Sequence, residues 1–158
     1  MALSDLASIA IIVQGILFVV SIVLIWYQLR ENTNLVRAAN TQKLVELSVP
    51  FNLQLAQDRA LAELWQQATQ RFDELDEIDQ FRYFNLLTWW LTLHENIYHQ
   101  WRNKLIDEET FSSWTRDLEF WVKRQQLGNH WSQLNSFFES PFAQHVTVII
   151  ARLAKEKE

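Results

Sequence analysis

The residues that come closest to a chemical motif are those of the segment His94-Glu-Asn-Ile-Tyr-His99. A zinc-protease helix carries two histidines four residues apart, so that both face one metal ion. Here the histidines are five residues apart, which separates them by about 140° around a helix. Glu95 and His99 do share a face, but two ligands leave a metal site incomplete, and a surface Glu–His pair is the favoured interpretation. We therefore predict no metal ion and no cofactor, and we expect His94 to be a hydrogen-bonded core residue.

The acidic segment Asp73-Glu-Leu-Asp-Glu-Ile-Asp79 offers oxygen ligands for calcium, but it lacks the glycine that an EF-hand loop needs at its centre. The segment instead predicts a helix N-terminus with Asp73 as the N-cap. Cysteine is absent, which excludes disulfides and thiolate chemistry. Without a catalytic, metal or phosphate-binding motif, the sequence predicts a protein that is not an enzyme. A membrane-bound enzyme remains the third alternative, and it would need a cluster of titratable groups in a pocket.

The longest uncharged stretch runs from Leu6 to Leu29 and holds 24 residues. As a helix it would be about 36 Å long, enough to cross a hydrocarbon core of about 30 Å with some tilt. A cleaved signal peptide is the competing interpretation, but such peptides have a basic start and small residues before the cleavage site. Here Met1 to Asp5 contains no Lys or Arg, and the stretch ends in bulky residues. The pattern favours an uncleaved transmembrane helix in a lipid bilayer.

The residues that flank this helix predict its orientation. Arg30, Arg37 and Lys43 follow it, whereas no basic residue precedes it. By the positive-inside rule the C-terminal part lies in the cytoplasm and the N-terminus outside, with Trp26 and Tyr27 at the membrane interface. From Arg30 onward the chain holds 14 basic and 18 acidic residues, a net charge of −4. This acidic balance argues against binding of nucleic acid as a polymer.

Glycine and proline are scarce, with two of each in 158 residues, and long runs of helix-forming residues separate them. The sequence therefore predicts an all-α fold, with one N-terminal transmembrane helix continuing into a cytoplasmic bundle of about five helices. The expected parts are an N-terminal tail and transmembrane helix (1–29), a juxtamembrane helical extension (30–50) and the helical bundle (51–158).

Helix breakers and caps predict where the individual helices begin and end. The membrane helix is expected to end near Val49, a second helix to run from about Asn52 to Arg71, and a third from Asp73 to about Leu105. A fourth helix should run from Asp107 to about Gln126, with Gly128 terminating it, and a short fifth should start at about Asn129. Ser140-Pro141 should open a last helix that runs to about Ala154. The third helix carries two adjacent apolar stripes, which indicate a broad buried face.

Polar and small residues in the membrane stretch suggest contacts between copies, because they permit close approach and interhelical hydrogen bonds. These are Gln14, Gly15 and Ser21. Beyond the membrane, the thin apolar line of Leu29, Val36 and Leu44 lies beside Asn32, Thr33 and Asn40. We expect these residues to form a seam in a homo-oligomer, or with another membrane protein. The alternative is that the seam packs on the protein's own bundle.

Short elements along most of the chain resemble a loose group of uncharacterised bacterial proteins with one N-terminal transmembrane helix and a small helical cytoplasmic domain. The elements are Arg30-Glu31-Asn32, Phe84-Asn-Leu-Leu, His94 to Trp101, Leu105 to Glu109, Trp114, Trp131 and Ser140-Pro141-Phe142. The resemblance implies anchoring in the bacterial inner membrane and a helical bundle. It implies no activity and no site residue.

The leading hypothesis is a single-pass, membrane-anchored helical module for interaction or signalling, which associates with itself and catalyses no reaction. The alternative is a ligand-gated oligomeric effector, in which several copies form a pore and the cytoplasmic bundle senses a small molecule.

Overall fold

A computed structural model describes the backbone of residues 3–156 and the side chains of residues 11–156. Within that range the chain is all-helical and contains no strand, so the predicted fold class is confirmed at this level. The α-helices are α1 (Leu3–Gln57), α2 (Arg59–Arg71), α3 (Glu77–Arg102), α4 (Glu108–Arg124), α5 (Trp131–Leu134) and α6 (Ser140–Lys155). Short 3₁₀ helices cover Phe72–Glu74, Leu127–Asn129 and Asn135–Phe137.

The chain divides into two compact units, an N-terminal unit (Met1–Ala39) and a C-terminal unit (Asn40–Glu158). In the described part of the N-terminal unit the backbone is one helical segment, the first part of α1. The rest of α1 (residues 40–57) and helices α2 to α6 belong to the C-terminal unit. The side chains of Asp5 and Leu6, and the final residues Lys157 and Glu158, lie outside the described range.

Helix α1 passes through Pro50 and ends at Gln57, so the expected end near Val49 is wrong. A proline inside a helix removes one hydrogen bond and costs about 3 kcal/mol. The next residue, Phe51, is buried and packs edge-on against Trp65, with ring centroids 5.3 Å apart. Burial of this aromatic side chain offsets the cost of the proline. The break comes at Asp58, whose side chain accepts from the amide of Leu61 and caps α2.

The N-cap of α3 is Asp76 rather than the predicted Asp73. The Asp76 carboxylate accepts from the amide of Asp79 at 2.8 Å. Asp73 lies in the 3₁₀ helix Phe72–Glu74, which ends at the extended residue Leu75. Phe72 packs edge-on against Phe84 with ring centroids 5.0 Å apart. That contact holds the segment before α3 in place, so the helix starts after it.

The structure confirms Asp107 as the N-cap of α4, with its carboxylate 2.7 Å from the amide of Thr110. Gly128 does not terminate this helix. The chain turns at Gln126, whose φ of 47° is left-handed. Gly128 instead packs closely on α6, where a Cβ would lie 3.3 Å from Cγ2 of Ile150, tighter than an ordinary contact. The N-cap position of α6 is Glu139 rather than Ser140, without a side-chain capping hydrogen bond, and the proline lies in the first turn as predicted.

The core of the C-terminal unit is rich in aromatic side chains and lies between α2, α3, α4 and α6. Helix α3 contributes the buried face that its two stripes predict: Tyr83, Leu87, Trp90, Leu91, Leu93, His94 and Ile97. A second, smaller cluster forms around Leu44, Ile97 and Phe111. Trp101 stacks on Phe111 there, with ring centroids 4.2 Å apart. These clusters hold α3 and α4 against each other.

Candidate functional site

The first candidate feature is the apolar part of the N-terminal unit. From Ile11 to Leu29 every side chain is exposed. An 18-residue window of this helix has a mean hydropathy of 2.2, and no part of that window is buried. The helix is long and apolar enough to cross a membrane. A core helix of a soluble protein passes the same test of composition, but it would be mostly buried. A signal sequence near the N-terminus also passes it.

The predicted interface residues lie at the end of that apolar stretch and beyond it. Trp26 and Tyr27 are exposed, and the guanidinium of Arg30 lies 5.8 Å from the centroid of the Trp26 ring. This is the distance of a cation–π contact. Arg37 is half-buried, and Lys43, in the C-terminal unit, forms an exposed ion pair with Glu46 at 3.3 Å. Trp26 and Arg30 are thus in contact at the end of the apolar stretch.

The residues predicted to join copies fall into two groups. Gly15 has open space where a Cβ would point, and Asn32 and Val36 are exposed. Leu44, in contrast, is fully buried in the core of the C-terminal unit. Asn40 there donates to the carbonyl oxygen of Leu105 at 3.4 Å. The expected apolar line therefore has an exposed part in the N-terminal unit and a buried part in the C-terminal unit.

Other polar groups of the N-terminal unit are satisfied within their own helix or exposed. The hydroxyl of Ser21 donates to the carbonyl of Leu17 at 2.8 Å, and that of Thr33 donates to Leu29 at 2.9 Å. Such bonds to the preceding turn are common for Ser and Thr in helices. Gln14 is exposed. Its amide therefore remains accessible to another helix.

Glu95 and His99 together hold the start of α6. The carboxylate of Glu95 accepts from the backbone amide of Glu139, the N-cap of that helix, at 2.7 Å. His99 Nε2 lies 3.5 Å from a carboxylate oxygen of Glu139. Within the described residues, no group of three or more His, Asp or Glu side chains is placed to hold a metal ion. The pair that resembles a metal motif therefore has contacts that explain it as a link between α3 and α6.

His94 is buried, as predicted, between the rings of Trp90 and Trp114, at centroid distances of 4.5 and 6.0 Å. Its Nε2 lies 3.3 Å from Oδ2 of Asp117, within ion-pair distance, but the angle is not that of a hydrogen bond, and Nε2 has no hydrogen-bond partner. The expected hydrogen bond is therefore missing at this atom. Burial lowers the pKa of His94, and the neighbouring Asp117 opposes that shift only in part.

A cavity of about 290 Å³ lies beside this His94–Asp117 pair, between α1, α3 and α4 of the C-terminal unit. We call it the tryptophan cavity. Its lining residues are Ser48, Phe51, Asn52, Trp89, Trp90, Leu93, Ser113, Trp114, Asp117 and Trp121. Sequence reasoning missed this cavity because its residues come from three separate helices. The one available signal was Trp89, which lies outside the apolar face of α3 and stacks on Phe51 at 5.1 Å.

A second surface of the C-terminal unit is apolar and open. Ile78, Phe81 and Phe137 are each about 70% exposed. Two shallow cavities of about 410 and 440 Å³ lie on this surface and share Phe81 and Asn85 in their walls. The surface is accessible to another molecule.

Comparison of the chain with protein-family models, with curated proteins and with solved structures finds no match.

Proposed function

We propose that this protein is a single-pass, membrane-anchored helical module for interaction or signalling, which associates with itself through its N-terminal unit. The observation that carries the proposal is the exposure of every described side chain from Ile11 to Leu29. Soluble proteins rarely expose a continuous apolar surface of this length, whereas hydrocarbon solvates it on all sides. In this proposal the membrane is the bacterial inner membrane, as the resemblance implies.

The proposed orientation places the C-terminal unit in the cytoplasm. It is supported by Arg30, Arg37 and Lys43, which follow the apolar stretch, and by the absence of Lys and Arg before it. Retention of positive charge on the cytoplasmic side is the general rule for short flanking segments. The cation–π contact of Arg30 with Trp26 suits a residue pair at the boundary between lipid and water.

The proposed partner of the N-terminal unit is a second copy of the same helix. Along this helix, residues that are spaced alternately three and four positions apart, and so repeat every seven, share one exposed face, as in a coiled coil. The face comprises Gly15, Phe18, Ile22, Ile25, Leu29, Asn32, Val36 and Ala39. Asn32 interrupts an otherwise apolar seam, and a single buried asparagine commonly fixes register and oligomer state.

Charge supports a partner of the same sequence. The charged side chains Arg30, Glu31 and Arg37 lie at positions b and c of this repeat, away from the seam. The positions that flank the seam are held by the uncharged residues Gln28, Thr33, Leu35 and Asn40. Parallel copies therefore meet without like-charge repulsion. Beyond the membrane the seam is only about ten residues long, too short for a stable coiled coil alone, so the membrane helix must contribute.

Cross-linking of single-cysteine variants in native membranes tests self-association. The chain has no cysteine, so each introduced thiol reports on one position. Val36→Cys places the thiol on the seam, and Asn34→Cys, about 160° away around the helix, is the matched control. We expect an oxidant to give a covalent dimer at least about tenfold more abundant for Val36→Cys. Equal yields, or cross-links only to other proteins, would mean that the seam does not join copies.

The orientation has a separate test with single cysteines at Ala2 and at Lys157. An impermeant thiol reagent should label intact cells that carry Ala2→Cys and should leave Lys157→Cys unlabelled until the cells are lysed. The reverse labelling pattern would overturn the proposed topology.

A further inference from the structure

Five of the ten residues that line the tryptophan cavity are aromatic. Trp89 and Trp90 come from α3, Trp114 and Trp121 from α4, and Phe51 from α1. Four of the eight tryptophans of the chain line this one cavity. The face of an indole carries a negative quadrupole, and Trp is the side chain that attracts cations most strongly through its ring.

The single charged residue among the residues that line this cavity is Asp117. Its side chain is 41% exposed, so the carboxylate is accessible from the cavity. The remaining polar lining consists of neutral groups from Ser48, Asn52 and Ser113. Tryptophan rings and a carboxylate can both attract a positive charge.

The aromatic walls are held in place by neighbouring rings. Phe51 stacks on Trp89, and Trp121 lies 5.9 Å from Trp65 in the core. Trp90 meets the ring of His94 edge-on at 4.5 Å. A cavity with such fixed walls loses little side-chain entropy when a ligand enters.

His94 lies behind the carboxylate, with Nε2 at 3.3 Å from Asp117 Oδ2. Because burial lowers the pKa of His94, this ring is neutral near pH 7 and does not cancel the negative charge of Asp117. The charge remains available to a ligand.

We propose that the tryptophan cavity binds a small organic ammonium cation, with Asp117 as its counter-ion and the tryptophan faces as its walls. Quaternary and methylated amines are the chemical class that aromatic cages recognise. A volume of about 290 Å³ suits a small ligand, because sites for drug-sized ligands span about 300–1,000 Å³. Calcium and magnesium fit poorly, because they need several oxygen ligands and one carboxylate supplies too few. The cation is a free amine or the choline group of a lipid. The inference is independent of the proposed anchoring and self-association.

The charge of the ligand can be tested without changing the protein. The full chain in maltoside micelles is titrated by calorimetry with tetramethylammonium, with choline, and with 3,3-dimethylbutan-1-ol, which has the shape of choline but no charge. We expect saturable binding of both cations to one site, and at least about tenfold weaker binding of the neutral alcohol, a difference of about 1.4 kcal/mol. Equal binding of choline and the alcohol, or no saturable binding of either cation, overturns the proposal. Phosphocholine added in a further titration distinguishes the two sources, because a site for a lipid headgroup binds it at least as tightly as choline.

Two variants locate the site. Asp117→Asn removes the counter-ion, and Trp89→Leu removes a partly exposed aromatic wall. Each should weaken choline binding at least about tenfold. Glu109→Gln, an exposed carboxylate on the same helix, is the matched control and should bind as the wild type does. Wild-type affinity in both Asp117→Asn and Trp89→Leu overturns the assignment. If either variant fails to fold, as judged by circular dichroism, the proposal is tested by comparing the binding of choline and of 3,3-dimethylbutan-1-ol to the wild-type protein.

Discussion

Two long helical stretches of this protein are rich in large apolar side chains, and their surroundings are opposite. Between Ile11 and Leu29 every side chain is exposed. In α3, seven side chains are buried, Tyr83 and Leu87 among them. The first stretch holds no charged residue and few polar ones, whereas α3 carries exposed polar residues such as Arg82, Thr92 and Asn96 opposite its buried face. An apolar stripe is satisfied by neighbouring helices, but a helix that is apolar all round needs an apolar solvent.

The largest effect is expected when a charged residue is introduced into the stretch from Ile11 to Leu29. Val19→Arg should remove most of the protein from the membrane fraction, because an arginine at the centre of a membrane helix costs about 2.5–3.5 kcal/mol. Val148→Arg, at an exposed apolar position of α6, is the matched control and should stay in the membrane fraction. Carbonate extraction followed by immunoblotting measures both. Integration of Val19→Arg at the wild-type level would show that the stretch is not a membrane helix.

The second prediction compares one leucine from each stretch. Leu87 is fully buried, and Leu87→Ala should lower the free energy of unfolding of the C-terminal unit by about 2–5 kcal/mol, through lost apolar contacts and a cavity. Leu17, which is exposed, should be replaceable by Ala with little change in that quantity. Denaturant titration in mild detergent, followed by tryptophan fluorescence, gives both values. Similar losses in the two variants would contradict the exposure of Leu17.

The third prediction concerns how α3 begins. Asp76→Ala should lower the free energy of unfolding by about 0.5–2 kcal/mol, because it removes the side chain that caps the helix. Asp73→Ala, three residues earlier and outside the helix, should change it by less than about 0.5 kcal/mol. The melting temperatures of the two variants provide the comparison. A larger effect at Asp73 would restore the start predicted from sequence.

The smallest effect near neutral pH is expected from protonation of His94. Because burial lowers its pKa in the folded state, the unfolded state takes up the proton first, and stability falls as the pH drops below about 6.5. Asp117 and His145 are the titratable groups that act on His94. His94→Gln should reduce the slope of unfolding free energy against pH between about 6.5 and 5. An unchanged slope would place the pH dependence at His130 and His145, whose pKa values burial also lowers.

Much of the helical plan follows from local rules. Asp107 caps α4, and the apolar spacing of α3 corresponds to its buried face, because capping and amphipathic periodicity act within a few residues. The boundaries that were wrong involve contacts between distant residues. Pro50 lies inside α1 because Phe51 packs on Trp65. Helix α3 starts at Glu77, after Phe72 has packed on Phe84.

The sequence by itself determined the fold class, the apolar stretch and the basic residues after it, because composition and periodicity are properties of neighbouring residues. Only the tertiary structure decided what the motif-like side chains do. Glu95 and His99 hold Glu139 at the start of α6, across more than 35 residues of chain. Asp117 joins four tryptophans from two helices around one cavity. Such assemblies depend on how helices pack against one another, and that packing has no signature in the local spacing of residues.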